Sequence, residues 1–346
     1  MNSFGRIFRI HIFGESHGES VGIVIDGCPA GMPLAVNDFL SDLERRKGGV
    51  QKGTTPRKEE DLPIFKSGIF NDKTTGAPIT ILFENKNVRS ADYERQRDIP
   101  RPGHADFVAR KKFAGFEDYR GSGHFSGRLT VALVAAGVVA KKILNHSPLE
   151  REPEGEVNQI EITSKILEIG GEPDLDRGLQ KAIDAKDSIG GIIECRVSGL
   201  PIGLGEPFFD SAESLLSHIV FAIPAVRGIE FGTGFSAARM FGSEHNDAIE
   251  NMEGKTRTNH AGGIVGGLTN GNELVFRIAI KPTSSTPKEQ TTLNWETGHV
   301  ETASVKGRHD LCIALRVPVI LEAVTAIVLA DLMMLEQRVG RIMSSE

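Results

Sequence analysis

Apolar and polar positions alternate in short runs over the first quarter of the chain and merge into long apolar blocks towards its end. Ile7-Phe8-Arg9-Ile10-His11-Ile12-Phe13 is rich in strand formers and free of turn residues, and Val21 to Asp26 reads as a second strand. Residues 37 to 47, NDFLSDLERRK, predict a helix capped by Asn37, with Phe39, Leu40 and Leu43 on one face and Gly48-Gly49 as its stop. Two strands, PIFKSGIF and PITILFE, occupy the stretch from 62 to 84 around the turn-like NDKTTGA. A charged, helical stretch follows RPGHADF as far as Gly115, and an uncharged helix starts near Leu129. Beyond the linker-like SPLEREPEGEV (148–158), the pattern gives a strand (160–168), a helix (175–186), a strand (191–198) and a helix (210–223) ended by Pro224. Glycine is dense from Gly228 to Gly271. A strand from Glu273 to Ile280 and a long apolar helix reaching about Arg341 complete the chain, with Pro318 starting or kinking that helix.

No short-period repeat, heptad or low-complexity tract is present, and no GxGxxG follows a strand, so a Rossmann fold is not indicated. The reading is one α+β domain over residues 1–346. With 39 % hydrophobic and 25 % charged residues the composition is that of an ordinary globular protein. A formal net charge of −6 argues against a general binder of nucleic acid or of anionic membranes. Cys28, Cys195 and Cys312 are scattered and in no CxxC pair, which fits reduced thiols in the cytoplasm better than a disulfide framework. The N-terminus lacks the apolar run of a signal peptide, and the uncharged helix from Leu129 is too short to span a bilayer.

Chemistry concentrates in glycine-flanked polar clusters: GESHG (14–18), RPGHAD (101–106), GSGHFSGR (121–128) and KGRHD (306–310). Each sets a histidine or arginine beside residues that free the backbone for close approach. KPTSS (281–285) adds an ammonium and three hydroxyls, and Arg45 to Lys58 carries six cations and no acid. Such groups suit phosphate and carboxylate ligands. His17 belongs to the one side-chain type whose ordinary pKa lies near neutrality. No HExxH or comparable spacing marks a metal site, and no GxSxG marks a serine nucleophile.

Taken together, GESHG with the following VGIVIDGCPAG, RPGHAD, the SGR that opens the buried helix, NHAGGIVGG, KPTSS, and GRHDLC with the distal Glu322 resemble the chorismate synthase family. The similarity runs from about Gly5 to the last helix, with the motifs in the family's order. It implies a β-α-β sandwich with helices between antiparallel sheets, usually as a homotetramer. It also implies a lyase that converts 5-enolpyruvylshikimate 3-phosphate to chorismate by 1,4-anti elimination of phosphate, the last step of the shikimate pathway. Such enzymes need reduced FMN (FMNH2) although no net redox change occurs. NADPH enters only where the protein reduces its own flavin; with no nicotinamide fingerprint in the chain, an external source of reduced flavin is expected.

By matched position, the resemblance implies that Ser16, His17, Arg46, Lys52, Arg101, Ser126, Arg128, Arg308 and Asp310 surround the substrate. FMN would lie against His124, Phe125 and Ser126, Pro224 and Ala225, Gly266, the run Lys281, Pro282, Thr283, Ser284 and Ser285, and Arg308. His17 and His104 are the implied acid/base pair, His104 towards the flavin and His17 towards the departing phosphate, with Asp310 acting near the flavin N5. Two departures stand out. His124-Phe125-Ser126-Gly127-Arg128 replaces a commoner Arg-Ser-Ser-Ala-Arg, and Lys52 stands where arginine is frequent, giving a point charge instead of a fork. Two other classes are compatible with the clusters alone: a flavin-free phosphoester lyase or phosphatase, and a non-catalytic anion- or flavin-binding module.

Overall fold

A computed structural model describes residues 2–49, 52–55, 59–87, 97–145, 159–305 and 309–343. The linker-like stretch at 148–158, the end of the basic loop at Arg57 and Lys58, and Gly307-Arg308 lie outside the described residues. Two antiparallel sheets face each other across a layer of helices. The first takes β1 (Ser3–Phe4), β2 (Arg9–Gly14), β3 (Ser20–Asp26), β4 (Ile64–Ser67) and β7 (Ile79–Glu84) in the order β1-β2-β3-β7-β4. Two short strands, β5 (Ile69–Phe70) and β6 (Lys73–Thr74), form a hairpin beside it. The second takes β8 (Glu161–Ile169), β9 (Gly191–Ser198), β10 (Val226–Phe231) and β13 (Leu274–Ile280) in the order β10-β13-β9-β8. Hairpins β11 (Ile264–Val265) with β12 (Leu268–Thr269), and β14 (Gln290–Leu293) with β15 (Val300–Ala303), project from the frame.

The helices are α1 (Asn37–Arg46), α2 (Asp106–Lys112), α3 (Thr130–Asn145), α4 (Leu175–Ala185), α5 (Ala212–Val220), α6 (Gly242–His245) and α7 (Val317–Leu335). α3 packs on β3 and β7, α7 on β8 and β9, and the two helices pack on each other. A helix squeezed between a sheet and another helix has no wet side, and both sequences are apolar all round. The segment Ile313–Leu335 is long and apolar enough to cross a membrane, with mean hydropathy 2.1, but 78 % of its apolar window is buried inside this fold. It is the central beam of the sandwich.

The few charges in that layer are all engaged. Glu322 on α7 is 3 % exposed and accepts both Nη groups of Arg45 at 2.7 Å and Lys141 Nζ at 3.2 Å, tying α1, α3 and α7 together. Asp331 accepts the backbone N–H groups of Arg6, Ile7 and Phe8 at 2.8 to 2.9 Å, fixing the start of the chain to α7. The cysteines are buried and unbridged, and burial pushes their thiols up to about 12, 12 and 11 for Cys28, Cys195 and Cys312.

Several expectations need correction. Asn37 begins α1 instead of capping it: Val36 stands at the cap, and the Asp38 carboxylate takes the Ala35 N–H at 2.8 Å. On that helix Phe39 and Leu43 are buried while Leu40 is exposed, because the inward face also holds Arg46. The first strand of the 62–84 pair breaks at Gly68 into β4 and β5. α7 ends at Leu335, short of Arg341, where Glu336-Gln337-Arg338 ends the apolar run and Gln337 turns left-handed at φ 56°. β10 went unread because glycine and two charges interrupt its alternation.

Gly137 on α3 marks the closest approach of the two central helices, since a Cβ there would lie 2.3 Å from Ala323 Cβ on α7. Gly137→Ala gains about 1 kcal/mol of helix propensity and forces an overlap that costs about 1–3 kcal/mol. The net expectation is destabilisation of up to about 2 kcal/mol, read as a lower urea midpoint; a midpoint raised by the full propensity gain would show that α3 and α7 do not crowd each other at this point.

Candidate active site

One end of the helical layer gathers loops from both halves of the chain. The end of α1, the loop before α2, the 3-10 turns at 120–129, the start of β10, the segment after β13 and the lead into α7 enclose a cavity of about 410 Å³. Among the described residues, its walls carry Arg46, Lys47, Arg101, Arg128, Arg227, Lys281 and Arg316 against Glu59, Asp61 and Asp310. The apolar part of the lining includes Phe125, Ile223, Pro224, Ile313 and Ile320.

Two of these arginines share one carboxylate. Arg46 Nη2 reaches Asp61 Oδ2 at 2.7 Å, and Arg128 Nη1 donates to Asp61 Oδ1. Arg46 Nη1 also donates to Thr130 Oγ1 at 3.1 Å, and Arg128 Nε to Asn85 Oδ1 at 2.9 Å. Burial would raise the Asp61 carboxyl, but the Arg46 and Arg128 charges outweigh it and hold it at about 2. All three side chains are nearly fully buried, so their relative positions are fixed.

A second carboxylate organises the part of the wall around Arg101 and His104. Arg101 sends Nε to Asp106 Oδ2 and Nη2 to Asp106 Oδ1, both at 2.8 Å, and Nη1 to Ser285 Oγ at 3.1 Å. Asp106 Oδ1 also lies 2.5 Å from His104 Nδ1. Arg101 Nη2 lies 2.8 Å from Asp106 Oδ1, 2.9 Å from Ser122 Oγ and 3.1 Å from His104 Nδ1, and the two shorter contacts take its two hydrogens. His104 Nδ1 therefore carries a hydrogen, donated to Asp106, and Nε2 is left as an acceptor. Ser122 Oγ is 3.2 Å from that Nε2 and, receiving from Arg101, has its own hydrogen to give. Burial lowers the His104 pKa; Asp106 opposes this, and the Arg101 and Lys281 charges add to it. The net direction is downward, so the imidazole is neutral at neutral pH. Asp106 is held well below the usual carboxylate range, burial being overcome by its bonds from Arg101 and His104.

The structure brings together many of the residues expected from the sequence. Arg46, Arg101, His104, Phe125, Ser126, Arg128, Pro224, Ala225, Lys281, Thr283, Ser284, Ser285 and Asp310 all line the cavity. Asp310 accepts the Thr55 N–H at 2.8 Å and Arg316 Nη1 at 3.1 Å, which orients its carboxylate. Ser16 and His17 stand directly behind the wall. A Cβ on Gly121 would lie 2.4 Å from His17 Cδ2, so only glycine lets that ring come so close.

Other expected residues lie elsewhere. His124 turns into an adjoining, mostly apolar cavity of about 390 Å³, with Nδ1 2.9 Å from Gly14 O and Nε2 3.1 Å from Asn2 Oδ1. Lys52 is exposed and reaches Gln180 at 3.4 Å, Gly266 sits in the β11–β12 turn, and Pro282 is absent from the cavity lining, so none of these three meets the hollow. Arg308 lies outside the described residues, although its neighbours His309 and Asp310 line the cavity. Sequence reasoning assigned no role to Asp61, Asp106, Ser122, Arg227 or Arg316. Asp106 and Ser122 stood inside noted motifs; Asp61 carried no local signal.

A family model described as chorismate synthase matches residues 8–334. The chain is 68 % identical to the chorismate synthase of Chitinophaga pinensis over 99 % of both chains. It is 43 % identical to that of Dehalococcoides mccartyi and 41 % identical to that of Methanocaldococcus jannaschii, each over 96 % of both chains. A crystal structure of a chorismate synthase superposes with a TM-score of 0.70 at 24 % identity, covering 96 % of this chain and 93 % of that one, and supports the fold.

The hydrogen-bond inventory at His104 is directly measurable. Nitrogen-15 spectra are expected to show the Nδ1–H tautomer, titrating below the ordinary histidine range. Asp106→Asn removes the group that favours the protonated ring, so its midpoint falls further. A midpoint that rises in the variant would refute this assignment.

Proposed function

The chain belongs to the chorismate synthase family, and from that premise we propose which of its residues carry the family's reaction. The protein is a carbon–oxygen lyase that converts 5-enolpyruvylshikimate 3-phosphate to chorismate by 1,4-anti elimination of phosphate, the family being one that depends on reduced flavin without net redox. The observation that carries the assignment of residues is the paired-carboxylate frame. Asp61 and Asp106 hold Arg46, Arg128 and Arg101 around one hollow, with a neutral His104 in its wall.

The donor set fits reduced FMN. Lys281, Thr283, Ser284 and Ser285 offer an ammonium and hydroxyls at one pole, and Ile223, Pro224 and Phe125 offer apolar surface for a planar ring. When bound, the flavin supplies the electron density that assists departure of phosphate from C3. The chain's own work is positioning, charge and proton handling. Arg46 and Arg128 orient the substrate's anionic groups from fixed positions, Arg guanidinium being suited to two-pronged contacts. Lys52, Ser16, Ser126 and Arg308 complete the substrate set as matched to the family. His104, through its unprotonated Nε2 and the adjoining Ser122, holds or accepts a proton on the cofactor side. Asp310, oriented by Thr55 and Arg316, is assigned to the flavin N5 side, where the proton lost at C6 would be received. His17, packed behind Gly121, is assigned the proton delivered to the leaving phosphate.

The test is an anaerobic assay with chemically reduced FMN and 5-enolpyruvylshikimate 3-phosphate, following phosphate release and chorismate absorbance. Turnover is expected only with reduced flavin, and none with NADPH plus oxidised FMN, since the flavin is taken to arrive already reduced. His104→Ala should lower kcat on the order of a hundredfold or more while FMN still binds. Equal turnover without flavin would identify a flavin-free lyase, and FMN binding without turnover a binding module.

Several large apolar side chains face solvent between 208 and 252, among them Phe208 at 86 %, Phe209 at 92 % and Met252 at 97 % exposure. Such a surface supports association between copies, and the homotetramer and cytoplasmic location are carried over from the family as part of this proposal. Light scattering is expected to give four times the chain mass, and Phe209→Glu to lower it; a monomeric parent would exclude this assembly.

A further inference from the structure

The cations around the hollow are not equivalent. Arg46 and Arg128 are bound to Asp61, Arg101 to Asp106, and Arg316 to Asp310. Arg227 lines the same cavity and makes no hydrogen bond or ion pair with any described residue. Its placement is not that of a regular strand residue. The β10–β13 register runs Val226 to Ile280 and then Gly228 to Ala279, so Arg227 is the extra residue of a β-bulge. A bulge bends the strand and redirects the side chain it carries, and Arg227, itself exposed, lies along the cavity lining. Lys281 is anchored alongside, its N–H bonded to Ala225 O at 2.9 Å across the same strand ends.

Lys281 Nζ spends two of its three hydrogens, on Gly103 O at 2.8 Å and Ser284 Oγ at 2.9 Å. Burial and the neighbouring Arg227 charge both lower its pKa, and no carboxylate enters that balance. Two adjacent cations with no acid against them repel each other, a cost that an anion between them removes. A phosphate monoester dianion with three acceptor oxygens matches a guanidinium, an ammonium and the hydroxyls of Thr283 and Ser285.

Resting on the flavin reading above, we infer that Arg227, set in the β10 bulge beside Lys281, is the phosphate-recognising residue of the cofactor pole, so that the chain selects a phosphorylated flavin over its dephosphorylated nucleoside form. Arg46 and Arg128, which share the single charge of Asp61 and so keep a net positive charge between them, are left for the substrate's anions. The division gives each polyanion its own cations and keeps the two from competing for one set.

Equilibrium binding of oxidised FMN and of riboflavin, followed by flavin fluorescence on the full chain, tests this. The parent is expected to prefer FMN. Arg227→Gln should weaken FMN on the order of ten- to a hundredfold, as loss of a charge-assisted bond implies, and leave riboflavin unchanged. Arg227→Lys should recover part of the loss, and unchanged thermal unfolding of the apo variants shows that they fold. The inference is overturned if Arg227→Gln binds FMN as the parent does, if it loses both flavins equally, or if the parent does not distinguish them. A parent that binds neither flavin would instead overturn the cofactor reading itself.

Discussion

The site depends on a problem of like charge. Cationic groups packed round one hollow repel one another by several kcal/mol at contact distances, even at the effective dielectric of a protein surface. The fold meets this with carboxylates placed behind the cations. Asp61 takes Arg46 and Arg128, and Asp106 takes Arg101 and His104. Because Asp61 is held at about 2, it stays ionised throughout the physiological range and the arginine pair never loses its counter-charge. The guanidinium fork makes such anchoring possible, since one edge can be spent on the carboxylate while the group keeps its full charge.

The same economy governs the helical layer. α3 and α7 touch closely enough that only Gly137 fits opposite Ala323, and both helices are walled by sheets. No unpaired charge is tolerable at that depth. Glu322 and Asp331 enter it because their bonds are complete: one joins three helices, the other fixes the first strand region. Loops that leave the ends of so rigid a layer have little freedom in where they start. Cavity-lining groups as far apart in sequence as Arg46, Arg128 and Lys281 can thus be brought together with only short-range adjustments.

Much of the fold was legible because helical and strand periodicities are strong in its buried elements. Leu175–Ala185, Gly191–Ser198 and Leu274–Ile280 fall within a residue or so of their expected spans. β10 was not legible because Gly228 and the charges of Arg227 and Glu230 interrupt its alternation, and the bulge at Arg227 adds a residue that shifts the register. At the candidate site, glycine-flanked histidines and arginines pointed to loops that line one cavity. What could not be read was which cation is paired with which acid. Asp61 lies fifteen residues from Arg46 and sixty-seven from Arg128, and nothing local in the sequence announces a carboxylate shared over such a span. The direction of the His124 ring was equally unreadable: motif position fixes the loop, while the bonds to Gly14 and Asn2 fix where the ring turns.

The arrangement also explains how a protein of net charge −6 can hold two polyanions at once. The excess of acid is spread over the surface, whereas the hollow concentrates cations within low-dielectric walls, and the local field there decides what enters. The neutral state of His104 follows from that field. Arg101 and Lys281 disfavour its protonation, and Asp106 only partly compensates. An anion entering the hollow offsets those two cations, and the proton affinity of Nε2 must rise with it, because the opposition to the imidazolium charge has been reduced. The base is therefore weakest in the empty site and strengthens as an anion comes to rest against Lys281 and Arg101, so occupancy of that part of the hollow also sets the moment at which a proton can be taken.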